Sequence, residues 1–265
     1  MTFECKRLAV VLALAAAGAA HADTLVVKPG GATYQGQVTF AFDADARAML
    51  DVSHMSVASY GTVNLVKQID TDGYYTQLSV STPMQSLTLD TDSLEILGVG
   101  GKGGVTITAP VFKSISSGGS LTITDIATDL STKTVHATLI GGNGVGTISN
   151  FALWDFAAQS GPTVYTGNQM VNDITGLTLT AGGLAKISQS LGLLDLGQVS
   201  LNAIGDFGAL HVVTNFTQIC DPSPTSPGAG CGGPTPSVPE PASPVLMALG
   251  LGLLGMAMSP RRRRA

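Results

Sequence analysis

Through the middle of the chain, polar and apolar residues alternate with a period of two. Gln37-Val38-Thr39-Phe40-Ala41-Phe42 sets Val38, Phe40 and Phe42 on one face of an extended segment. The same period runs through Tyr75 to Val80, Ser86 to Leu89, Val105 to Thr108 and Ser120 to Ile126. Thr134 to Ile140 and Gly146 to Phe156 continue it, and Ala209 to Phe216 reads as a closing strand. Turn chemistry separates these runs: Asp70-Thr71-Asp72-Gly73, Ser116-Ser117-Gly118-Gly119, Gly141-Gly142-Asn143-Gly144 and Ser160-Gly161-Pro162. Many short strands with Gly-rich turns predict a mainly β domain, an antiparallel sandwich or barrel. Leu-Thr repeats at Leu87, Leu121 and Leu177 fall at unequal intervals and read as recurrent strand chemistry rather than a repeat.

One segment changes period. After Thr180, an N-cap residue type, Leu184, Ile187, Leu191 and Leu194 follow helical spacing, which predicts one short amphipathic helix docked on the sheet. Gly182-Gly183 in its first turn leave a loop as the alternative.

The pattern breaks again at both ends. Lys6 and Arg7 precede an apolar run from Leu8 to Ala20, and Ala20-His21-Ala22 supplies a small-x-small cleavage site. Residues 1–22 are therefore expected to be a secretory signal peptide, handled by the export translocon and signal peptidase, with the mature chain starting at Asp23. At the other end, Ala242 to Ser259 carries no charge. As a helix it would reach roughly 27 Å, just short of a hydrocarbon core of about 30 Å. Arg261, Arg262, Arg263 and Arg264 follow at once and would hold that end in the cytoplasm. Residues 220–237 are dominated by Pro, Ser, Gly and Thr and read as a linker, leaving 23–219 as the exported β-rich domain.

Val238-Pro239-Glu240-Pro241, the apolar segment and the arginine cluster together resemble the PEP-CTERM sorting signal, which would occupy residues 238–265. The resemblance implies export from a Gram-negative bacterium that makes extracellular polysaccharide. It also implies transient anchoring in the inner membrane, and processing by an exosortase near Pro239-Glu240-Pro241. A plain tail anchor has a similar layout, but the short span and the Pro-Glu-Pro triplet favour a handle that is later cut. The final location would be the cell surface or the extracellular matrix, with extracellular polysaccharide as a further partner.

Export also changes the reading of cysteine. Cys5 leaves with the signal peptide, and Cys220 and Cys231 remain as a pair expected to form a disulfide, two free thiols being the alternative. Between residues 23 and 219, seven Lys/Arg stand against fifteen Asp/Glu, so the body is more acidic than the chain's net −5. Such a surface has no electrostatic grip on nucleic acid.

Candidate chemistry is sparse, and no cofactor is expected. Gly98-Val99-Gly100-Gly101-Lys102-Gly103 has the spacing of a dinucleotide loop, but Val105-Thr106-Ile107-Thr108 continues as a strand where that loop needs a helix. We read it as a flexible β-connection. Asp70, Asp72 and Gly73 resemble the opening of a calcium loop but lack further oxygen donors, so they are a weak metal candidate. Asp43/Asp45 and Asp90/Asp92 are similar close pairs. His54, His136 and His211 show no ligand spacing, no G-x-S-x-G elbow is present, and nothing in the sequence pairs an Asp with an activated Ser or His. Alternation puts Trp154 and Phe156 on one face and Phe151 on the other, and Trp154 is expected in the core rather than on a sugar platform. The reading that results is a non-enzymatic exported surface or matrix protein. A secreted carbohydrate- or calcium-binding module is the alternative, and a secreted hydrolase a weaker one.

Overall fold

The computed structural model describes residues 24–27, 34–90, 93, 95–164 and 169–216. Among them are twelve strands in one sheet and three helices. The strands are β1 (Thr24–Val27), β2 (Tyr34–Phe42), β3 (Ser56–Tyr60), β4 (Asn64–Ile69), β5 (Tyr75–Asp90), β6 (Ile96–Gly101), β7 (Gly104–Phe112), β8 (Ser116–Asp129), β9 (Thr134–Gly141), β10 (Gly146–Ser160), β11 (Gln169–Leu179) and β12 (Gly208–Phe216). The helices are α1 (Ala44–Val52), α2 (Ala181–Leu191) and α3 (Asp195–Asn202).

Every strand pair is antiparallel. The order β5-β2-β12-β11-β10-β9-β8 is continuous, and β6 pairs with both β5 and β8. These eight strands therefore close on themselves, which makes the fold a barrel and not a sandwich. Closure at β6–β8 is narrow. It rests on the pairing Gly100↔Ala127, on Leu130 N–H to the Leu97 carbonyl at 2.9 Å, and on the Thr128 hydroxyl against Val99. Beyond β6 the wall widens: β7 joins the first half of β8, β3 joins β7, and β4 joins the first half of β5. Lys67 Nζ donates to the Val57 carbonyl at 3.0 Å, tying β4 to β3.

Apolar side chains of the three helices pack against the wall there. Met49, Leu50, Ile187, Leu191 and Leu201 from the helices line one small apolar cavity, about 40 Å³, with Phe40, Ile107, Ile123 and Trp154 from the wall. Side chains of the period-two segments point into this core: Val38, Phe40, Leu78, Val80, Leu121, Ile123, Leu139, Leu210 and Val212 are all buried. Their polar alternates, such as Gln37, His211 and Asn215, face solvent.

The structure corrects several expectations. Tyr75–Val80 and Ser86–Leu89 are parts of one strand that runs through Pro83. The Pro83 carbonyl accepts from Lys102 N–H at 3.2 Å, and a register shift against β6 follows at once between Met84 and Ser86, the kind of irregularity at which a strand accommodates proline. Ser116 to Gly119 is not a turn but the start of β8; the turn lies at residues 113–115, with Lys113 at φ +42°. Ser116 is held in place by its buried hydroxyl, which donates to the Leu191 carbonyl at 2.8 Å. Gly98 to Gly101 is no flexible connection but most of β6. A side chain on Gly98 would put its Cβ 2.3 Å from the Thr128 carbonyl oxygen, so the closing strand has to be bare at that point.

The expected helix forms, with Thr180 as N-cap accepting from Gly183 N–H at 2.9 Å. It ends at Gly192, whose left-handed φ of 60° closes it, so Leu194 lies beyond the stripe and is 40% exposed. Helices α1 and α3 add to the one expected. Both are short, nine and eight residues, and too brief for periodicity to declare them. In β10, register shifts between Ile148 and Phe151 and between Ala152 and Trp154 break strict alternation. Leu153 and Trp154 are consequently both buried, while Phe151 is half-buried beside the first turn of α2.

No helix among the described residues is long and apolar enough to cross a membrane. The expected signal peptide, the expected linker with Cys220 and Cys231, and the C-terminal segment lie outside the described residues.

Candidate functional site

The acidic pairs singled out by sequence serve the backbone. Asp43 is the N-cap of α1 and accepts from Asp45 N–H at 3.4 Å. One oxygen of Asp70 accepts from Asp72 N–H at 3.0 Å and Tyr74 N–H at 2.8 Å, closing the β4–β5 turn. Asp90 accepts from Ser93 N–H at 2.8 Å, and its neighbour Asp92 lies outside the described residues. Among the described residues, no three His, Cys, Asp or Glu side chains are grouped to hold a metal ion.

Two carboxyls are shifted from their ordinary range. Burial pushes Asp51 upward and nearby Asp70 adds to the effect, against Tyr75 N–H and Arg47, which pull it down. Its two oxygens lie 3.2 and 3.1 Å from Tyr75 N, joining the end of α1 to the start of β5. Asp129 is held low, chiefly by the Ser131 hydroxyl at 2.6 Å, with Ser131 and Thr132 N–H groups adding support at the β8–β9 turn.

The histidines are dispersed. His54 meets the Phe112 ring edge-on at 4.7 Å, and His136 Nδ1 lies 3.3 Å from the Asn150 carbonyl oxygen. His211 is different. The β11–β12 register sets it opposite Asp173, and Nδ1 lies 2.6 Å from the carboxylate. The sequence offered no such partner, because both residues are ordinary outward polar positions until the register is known. Thr39 is the next residue across, on β2, and its hydroxyl bonds Ser81 on β5 at 2.8 Å. A hydroxyl, an imidazole and a carboxylate thus stand in one row on the outer wall. The Asp173 and His211 side chains are about half exposed there, 46% and 49%, and the Thr39 hydroxyl is engaged with Ser81 rather than His211. Nucleophilic catalysis requires the base to hold the hydroxyl and donors to surround the developing oxyanion. This row shows neither.

An open groove of about 610 Å³ lies between α2 and α3, extending to Ser117 and Asn143. None of its lining residues is ionisable. Four are amides, Asn143, Gln189, Gln198 and Asn202, and three of them donate to main-chain carbonyls. Asn143 donates to Gly118 and Ser190 at 3.0 and 3.1 Å, Gln189 to Asn143 at 3.2 Å, and Gln198 to Leu193 at 3.0 Å. Sequence reasoning missed this site, because its residues come from β8, the β9–β10 turn, two helices and the link between them, with no common motif. Trp154, 2% exposed and stacked on Phe40 at 5.4 Å, belongs to the core and takes no part in the groove.

Comparison with known proteins bears on the tail. Residues 237–263 match the family profile described as the PEP-CTERM protein-sorting motif. The match covers the C-terminal tail alone, and it includes Val238, Pro239, Glu240, Pro241 and three of the four arginines, Arg261, Arg262 and Arg263. No curated protein and no solved structure matches the chain.

Proposed function

We propose that the chain is a non-enzymatic surface or matrix protein of a Gram-negative bacterium, delivered by its tail and released by an exosortase into a setting rich in extracellular polysaccharide. The observation that carries this is the PEP-CTERM motif over residues 237–263, which marks an exported protein addressed to an exosortase. The remaining steps follow the physics of the two ends. Residues 1–22 would direct export and be cut before Asp23. The apolar segment of residues 242–259 would halt transfer with Arg261 to Arg264 inside, and cleavage near Pro239-Glu240-Pro241 would free the domain. What supports a binding or structural role over a catalytic one is that the Thr39–His211–Asp173 row lies exposed on the outer wall, with the Thr39 hydroxyl bonded to Ser81 rather than to the imidazole.

Mass spectrometry of the mature protein tests the route. In a host with an exosortase, peptides beyond the Pro-Glu-Pro triplet should be missing, and they should reappear when the exosortase gene is deleted. An intact Arg261–Ala265 end in the exosortase-positive host would refute the proposal.

A further inference from the structure

We propose that Asn143–Gly144 is a self-modification site, whose side-chain amide deamidates when the junction between α2 and the start of β8 opens, and whose product keeps that junction from closing again. Asn143 is the one asparagine of the chain followed by glycine. In such a pair the Gly144 main-chain nitrogen can attack Asn143 Cγ, because the next residue carries no side chain to obstruct it. The new N–Cγ bond forms and the Cγ–Nδ2 bond breaks. The Gly144 amide proton goes to the departing nitrogen, which leaves as ammonia, and a five-membered cyclic imide remains. Water then opens the ring at either carbonyl, giving an aspartyl or an isoaspartyl residue.

The fold withholds the first step. Asn143 and Gly144 both have left-handed backbone, φ +49° and +81°, which is ordinary for an Asn-Gly turn between strands. The amide, however, is held by the rest of the molecule. Nδ2 donates to the Gly118 carbonyl of β8 at 3.0 Å and to the Ser190 carbonyl of α2 at 3.1 Å, so both of its hydrogens have a partner. Gly119 leaves room for it: a Cβ there would lie 2.5 Å from Nδ2 and 2.3 Å from the Ser190 carbonyl oxygen. Gln189 Nε2 secures the Asn143 main-chain carbonyl at 3.2 Å. Turning Cγ toward the Gly144 nitrogen breaks both Nδ2 bonds, so ring closure waits for local opening of this junction. The same contacts make the change one-way. A carboxylate brings charge and lone pairs against two carbonyl oxygens that had each received an N–H. An isoaspartyl link adds a carbon to the main chain of the turn.

Peptide mapping by mass spectrometry tests this on the full chain, incubated in detergent at mildly alkaline pH. Unfolded in urea, the chain should convert at Asn143 before any other asparagine, and the native chain should convert there at least about tenfold more slowly. Gly192→Ala puts a side chain on a left-handed residue, its Cβ 2.6 Å from the Gly118 carbonyl oxygen, and should speed native conversion at least about fivefold. Gln189→Ala removes one restraint without backbone strain and should speed it by less, which keeps the test open if the glycine variant does not fold. Gly98→Ala strains the β6–β8 seam instead and should leave the rate unchanged. Asn143→Asp, the product of conversion, should melt below the parent. The proposal is overturned by native conversion as fast as unfolded, by rates that the variants of Gly192 and Gln189 both leave alone, by equal acceleration with Gly98→Ala, or by Asn143→Asp melting with the parent.

Discussion

Asp51 shows how one side chain can join two elements at an electrostatic cost. Its oxygens accept from Tyr75 N–H, yet burial disfavours the ionised form and raises the folded-state pKa. A carboxyl raised on folding stabilises the protein most fully below its unfolded pKa, and that contribution is lost as pH rises through the folded value. Asp51→Asn keeps a carbonyl oxygen for Tyr75 and removes the charge. Thermal melting should therefore show the variant equal to or above the parent near pH 7. The difference should shrink as pH falls and the parent carboxyl takes up its proton. A variant advantage that grows toward acid would contradict the sign. Asp129, held low by Ser131 and Thr132, works oppositely: it supports the fold above the unfolded carboxyl pKa and loses that support as pH falls through its own.

At the scale of elements, legibility followed burial. The strand around Phe40 and the helix after Thr180 were readable because one buried face imposes a period on the sequence. Helices α1 and α3 are too short to show one, and Leu194 continues the period of α2 in the sequence but lies beyond it, because Gly192 turns the chain first. The glycines of β6 misled for another reason. Their bareness reads as flexibility along the sequence, whereas in space it answers the close approach of Thr128 to Gly98. Gly98→Ala should therefore destabilise the barrel by about 1–3 kcal/mol, because the obstacle is a main-chain oxygen that cannot swing away. Urea denaturation measures the loss, and hydrogen exchange should show faster opening in β6 than in β9. A neutral substitution would mean that the β6–β8 seam is looser than its pairing indicates. The groove was illegible for a third reason: its lining residues lie far apart in sequence and only the fold brings them together.

On the scale of the whole molecule, the sheet joins residues far apart in sequence. β2 lies against β12 over nine residue pairs, from Gly208↔Phe42 to Phe216↔Tyr34, and each buries residues of the same core. A chain ended after residue 219 should melt cooperatively, since it retains every described strand. One ended after residue 207 loses β12, exposes the edges of β2 and β11, and should show no cooperative transition by circular dichroism. Equal melting of the two would mean that the barrel tolerates an open seam.

That pairing also sets a clock on secretion. An exported chain threaded across a membrane from its N-terminus delivers β2 early and β12 last, and their seam cannot form until Phe216 is through. The barrel closes only when little besides the tail has yet to pass. Completion of the fold and arrival of the sorting motif at its protease thus fall within the same last stretch of transit.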